Sequence, residues 1–154
     1  MNAAAPAAKF LKGVFSGTYV TTPEAEAAAA VVVAEVADRV FEDEAPETTP
    51  LPYIIFTQRS DNKVQALGET EWNQTTKVYN IKVITREERG YKRADRIANA
   101  IFGALSGSEG YIEYEGRNYW VASSYCDSEI RYIENRGAVR FNHVGGAYTV
   151  IVNP

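Results

Sequence analysis

Apolar side chains recur along the chain with two periods, and the switches between them outline its elements. Phe10, Leu11, Val14 and Phe15 make a short helical stripe that ends at Gly17. Residues 1–8 ahead of it are small, and residues 1–20 are expected to include a flexible N-terminal arm. A second helix is predicted from Thr22 onward. Threonine is a good N-cap, Pro23 suits the first helical position, and Glu24 and Glu26 face the positive end of the dipole. Its body, residues 25–38, is alanine and valine. The run Val31, Val32, Val33 lowers helix propensity, so neighbours must hold it in place.

Residues 42–52 carry three prolines among acids and threonines and read as a connector. Residues 51–57 (LPYIIFT) are apolar on both faces, the mark of a central strand. A long polar hairpin loop is expected over residues 57–74. Residues 75–86 then give the clearest strand, with Tyr79, Ile81 and Val83 alternating with Asn80 and Lys82. The clearest helix covers residues 90–105: Ala94, Ile97, Ala98, Ile101 and Leu105 share one side, opposite Lys92, Arg93, Asp95, Arg96 and Asn99. Short strands follow at 111–114, 119–125 and 130–133. The last alternating stretch, 138–152, is interrupted at Gly145 and Gly146, read as a bulge or tight turn. This order of elements predicts one α+β domain over residues 1–154, a mainly antiparallel sheet with two or more helices packed on one face.

At 154 residues the chain is long enough to bury a core without disulfides or metals. Ten tyrosines, six phenylalanines and two tryptophans hint at sheet and at subunit contact. The net charge of −4 argues against a dedicated nucleic-acid binder. That charge is unevenly placed, because residues 23–47 hold eight acids and one base. Cys126 is the only cysteine, which excludes an intrachain disulfide and fits a reducing compartment. The longest apolar run, residues 27–34, falls far short of a membrane span. Synthesis in a cytosol is the expectation.

Catalytic equipment is sparse. His143 is the sole histidine; Ser123, Ser124 and Asp127 are the available triad partners, with no G-x-S-x-G elbow. One Cys and one His cannot build a zinc site, and no calcium loop is present. Glu113, Glu115 and Glu129 are hairpin acids without informative spacing. The Gly-rich segment 103–110 follows a helix and lacks G-K-[ST], unlike a phosphate cradle. The bases Lys82, Arg86, Arg89, Lys92, Arg93 and Arg96 are interleaved with Glu87, Glu88 and Asp95. They read as a solvated helix face or an inter-subunit ion-pair surface before a nucleic-acid one. No cofactor, no metal and no enzymatic activity are expected.

An ordered series of short motifs resembles the tail-terminator and tail-completion proteins of tailed bacteriophages. It runs Arg39-Val40-Phe41, Ala45-Pro46, then Pro50-Leu51-Pro52-Tyr53-Ile54-Ile55-Phe56. The strand Val78-Tyr79-Asn80-Ile81-Lys82-Val83 follows, then Arg89-Gly90-Tyr91-Lys92 with its helix, and finally Gly137-Ala138-Val139-Arg140-Phe141. The resemblance covers roughly residues 37–152. It implies a small α+β virion subunit, made in the host cytoplasm, that forms a ring, commonly six-fold, on the head-proximal end of the tail tube. Such a ring stops tube growth and presents a surface to the head connector, and in contractile tails it also touches the sheath. Genomic DNA passes through the lumen without specific binding. The family has no active site, so the resemblance carries no catalytic residue across. The candidate contact residues are Arg59, Lys63 and Trp72 of the long loop, Glu42, Asp43 and Glu44 of the connector, and Arg89, Lys92, Arg93 and Arg96 of the helix. The alternatives are another phage neck protein, such as a head-closure or connector component, and a small ligand-binding or catalytic α+β domain using His143. A nucleic-acid module on the Arg86–Arg96 stretch is a third.

Overall fold

A computed structural model describes residues 4–64 and 74–153 of the chain. Three helices and six strands follow one another as α1 (Ala4–Phe15), α2 (Pro23–Val36), β1 (Val40–Glu42), β2 (Tyr53–Val64), β3 (Gln74–Arg86), α3 (Lys92–Leu105), β4 (Glu109–Tyr114), β5 (Arg117–Arg136) and β6 (Val139–Asn153). The strands form one sheet in the order β1-β2-β3-β6-β5-β4. Every pairing is antiparallel except β1 with β2. The architecture is α+β, as the alternation of periods predicts.

Strand periodicity decides which side chains enter the core. Along β3, Tyr79, Ile81 and Val83 are buried on the same side as Ile54 and Phe56 of β2 and Val144, Tyr148 and Val150 of β6. Ala29, Val32 and Val36 of α2 and Ala94, Ile97, Ile101 and Leu105 of α3 join them in one apolar cluster. Removing each of these larger side chains from water contributes about 1.5–3 kcal/mol. The intervening strand positions, Lys82, His143 and Tyr132 among them, lie on the opposite face.

Local signals set the helix ends. Thr22 Oγ1 accepts from the Ala25 amide at 3.1 Å, with Pro23 opening α2 as predicted. The cap of α3 comes from outside the helix. Glu87 accepts from the amides of Arg93 (2.8 Å) and Ala94 (3.2 Å) and also from Thr85 and Asn142. Burial pushes the Glu87 carboxyl up, but these donors outweigh it and hold it below the usual carboxylate range.

Four expectations need correction. The N-terminal arm expected over residues 1–20 is a helix from Ala4. Ala7, Phe10, Leu11 and Val14 of α1 are fully buried, because the stripe Phe10, Leu11, Val14, Phe15 extends backward through alanines that pack without steric cost. The loop expected over residues 57–74 is strand at both ends, and its middle, residues 65–73, lies outside the described residues. β2 continues to Val64 and β3 starts at Gln74, because backbone pairing between the two strands, from Thr57 with Asn80 to Val64 with Gln74, carries the ladder through the polar residues. Gly145 and Gly146 do not break β6, which pairs with β3 without a register shift. The irregularities lie across from them, in β5, at Tyr125/Asp127 and Asp127/Glu129. The strands expected at 119–125 and 130–133 are therefore one long strand carrying bulges.

Candidate assembly surfaces

The connector after β1 folds over one end of the sheet's helix-free face and walls a cleft of about 540 Å³. Asp43, Glu44 and Glu47 stand on the connector side, Arg86 and Arg136 on the sheet side, with Tyr53 and Phe141 between them. Arg136 is engaged with Glu134 at 2.8 Å, whereas the three connector acids are exposed and have no ion-pair partner among the described residues.

On the helical side, α2 and α3 are cross-braced. Glu35 accepts from Arg93 at 3.0 Å and from Arg96. Partial burial pushes the Glu35 carboxyl up, but the two guanidiniums overcome that and lower it below its ordinary value. Arg131 of β5 reaches Asp95 through both terminal nitrogens, at 2.5 and 3.1 Å, and lies over the Tyr91 ring at 4.0 Å. The outer side of α2 remains apolar at Val31 and Val33, and Phe102 of α3 is about half exposed against Tyr125.

His143 sits on the opposite sheet face beneath Tyr132, whose ring stacks on it at 4.3 Å. Neither imidazole nitrogen has a hydrogen-bond partner among the described residues, and Glu134 Oε1 is 3.8 Å from Nε2. Burial, with Lys82 and Arg136 nearby and only Glu134 opposing them, lowers its pKa to about 4. Ser123 lies on the helix side of the sheet and donates to the Leu105 carbonyl at 2.7 Å. The imidazole and this hydroxyl are therefore not brought together, and no triad forms from them. Among the described residues no group of His, Cys, Asp and Glu is arranged to hold a metal ion.

The depressed pKa of His143 makes stability depend on pH. Its ordinary value of 6.5 applies to the unfolded chain, so between pH 6.5 and 4 the unfolded state binds the extra proton. The stabilisation is fully present above pH 6.5 and is lost as pH falls toward 4, a total on the order of 3 kcal/mol. Urea midpoints at pH 7, 5.5 and 4.5 should fall more steeply in the natural chain than in His143→Phe. Parallel slopes would show that His143 is not the titrating group.

The model of the family described as Tail completion protein gp17 matches residues 24–128. The chain belongs to the phage tail-completion family. None of the curated proteins compared matches it. One solved structure is 14% identical over 75% of this chain and 79% of its own, with a TM-score of 0.47. A likeness at that level carries no argument.

As a tail-completion protein, the chain is a structural component of the phage virion and acts through contact with other tail or neck proteins. No described helix is long and apolar enough to cross a membrane. The contact residues expected from sequence divide into three groups. Glu42, Asp43 and Glu44 are exposed at and after the end of β1, and the last two line the cleft. Arg89 and Lys92 are exposed at the start of α3, whereas Arg93 and Arg96 are bound to Glu35 within the subunit. Arg59 is exposed where β2 shifts register against β3. Lys63 lies on β2 with only its backbone described, and Trp72 falls outside the described residues. Sequence reasoning did not place Arg86 and Arg136 opposite the connector across the cleft, because they are distant from it in the chain and are brought there only by the strand order.

Proposed function

We propose that this tail-completion protein forms a closed ring, six-fold as the resemblance implies, on the head-proximal end of the tail tube. There it ends tube growth and offers the docking surface for the head connector. The match of the family model across residues 24–128 carries this reading. The distribution of charge supports it: Glu24 and Glu26 open α2 a helix length away from Glu35, which binds Arg93 and Arg96 at the start of α3, so these acids and the exposed bases Arg89 and Lys92 stand at opposite ends of the helical layer. A head-to-tail contact between unlike sides closes into a ring when the rotation between subunits returns on itself. Glu42, Asp43, Glu44, Arg89 and Lys92 are its proposed contact residues.

Tail-tube protein from the same phage, polymerised with increasing amounts of this chain, tests the reading. Tubes should shorten at substoichiometric addition and stop growing from one end. A length distribution that does not respond to the chain would remove the termination role.

A further inference from the structure

Two stretches of strand edge have no backbone partner among the described residues, and they lie at diagonally opposite corners of the sheet. β1 covers the outer edge of β2 only at residues 54–56. Residues 57–64 of β2 are left bare on that side while β3 pairs with them on the other. At the far side, β4 covers β5 as far as Ala122, and Ser123 exchanges backbone hydrogen bonds with Gly107 and Ser108. Beyond the irregular stretch that ends at Glu129, residues 129–136 pair with β6 alone.

Bare edges are normally defended by charged side chains, proline, a bulge or a covering element, and this one carries Glu129, Arg131, Glu134 and Arg136, of which Arg131 is drawn to Asp95 and Arg136 to Glu134. Residues 129–136 contain neither proline nor a register shift. They also expose apolar side chains on both faces, Tyr132 at 43% and Ile133 at 41%. The exposed apolar pair and the regular backbone suit the edge to pairing with another strand.

The two edges match in length and polarity. Each spans eight residues, with a register shift at Arg59 in the β2 stretch, and the three antiparallel steps from β2 through β3 and β6 to β5 make β2 and β5 run in opposite directions. Their heights differ. Glu129 stands level with Gly146, Ile81 and Phe56, so the bare part of β5 begins where the bare part of β2 has ended, and runs away from it. A second copy would have to slide by seven or eight residues along the strands, roughly 25 Å, for the edges to meet. With a shorter slide, the incoming β1 would collide with the end of β5; with a longer one, the ladder would lose its pairs. At that slide β1 falls just past Arg136, and β4 stays clear of the incoming strand.

We infer that neighbouring subunits join by antiparallel backbone pairing of residues 57–64 of one copy with residues 129–136 of the next. The inference deepens the ring reading and rests on it. One subunit advances the sheet by four strand spacings, about 19 Å, for the slide of roughly 25 Å. The strands therefore run oblique to the ring axis, in the way tilted strands close a barrel. β1 and β4 act as stops that fix the register, so the contact is heterologous and excludes a flush, unslid pairing.

Cysteine cross-linking of the full chain in a Cys126→Ser background tests the register. Gln58→Cys with Asn135→Cys should give a ladder of covalent multimers on oxidation of assembled rings. Gln58→Cys with Tyr125→Cys, opposed only without the slide, should stay monomeric on the gel. Amides of residues 57–64 and 129–136 should exchange hydrogen at least tenfold more slowly in rings than in dilute subunits. Rings that form without the first cross-link and without protection would overturn the pairing and leave the ring reading standing. Protection of residues 129–136 only when tube protein is added would assign that edge to the tube and overturn pairing between copies. A chain that neither assembles nor limits tube growth would overturn both.

Discussion

Gly145→Ala is expected to lower stability by about 3 kcal/mol or more and to drive most of the protein into insoluble material. An ideal Cβ at this position falls 1.9 Å from the Ile81 carbonyl oxygen and 2.6 Å from the Lys82 Cα. Both atoms belong to the backbone of β3, so no rotamer change can relieve the contact. β3 and β6 are held from outside by β2 and β5, and separating them at this level would break the centre of the sheet. The adjacent Gly146 gives the control. There the added methyl meets the Tyr125 ring at 3.0 Å, and a side chain can shift. Gly146→Ala should cost only about 1 kcal/mol. Urea denaturation of the soluble fractions compares the two. A Gly145→Ala protein as stable as the natural chain would show that β3 and β6 are not apposed as described.

Phe10→Ala should cost about 3–5 kcal/mol, a loss typical of an aromatic side chain removed from a core. Phe10 is fully buried in the apolar cluster, and its ring stacks on Tyr19 at 5.6 Å. α1 also touches β4, β5 and β6, and Lys9 Nζ donates to the Glu113 carbonyl at 2.9 Å. Its loss would loosen the β4 margin of the sheet as well as the cavity it leaves. A substitution at Lys12, which is exposed on the same helix, should be nearly neutral. If Phe10→Ala were equally neutral, the N-terminal helix would not be part of the core.

The contrast between α1 and α3 shows what was legible in the chain. In α3, apolar and charged residues alternate with helical period, so its buried face was readable from position alone. α1 is mostly alanine and other small residues before Phe10. Alanine is equally at home in a loose arm and against a core, so its period is silent. β5 was read as two pieces because its bulges place two residues against one and disturb the alternation near Asp127. β1, three residues long, offers too few positions for any period, although the Arg39-Val40-Phe41 step was noticed as a motif. Of the surface, the exposure of the acidic connector was readable from its charge. The binding of Arg93 and Arg96 to Glu35 was not, because it joins residues about sixty positions apart. The unpaired strand edges depend on strand order, which no local pattern contains.

Electron microscopy of tail tubes assembled with this chain bears most directly on the central claim. A closed ring seated on one end of each tube, and on no lateral site, is the predicted image, with bare ends reappearing when the chain is omitted. Tubes whose ends are identical with and without the chain would contradict it.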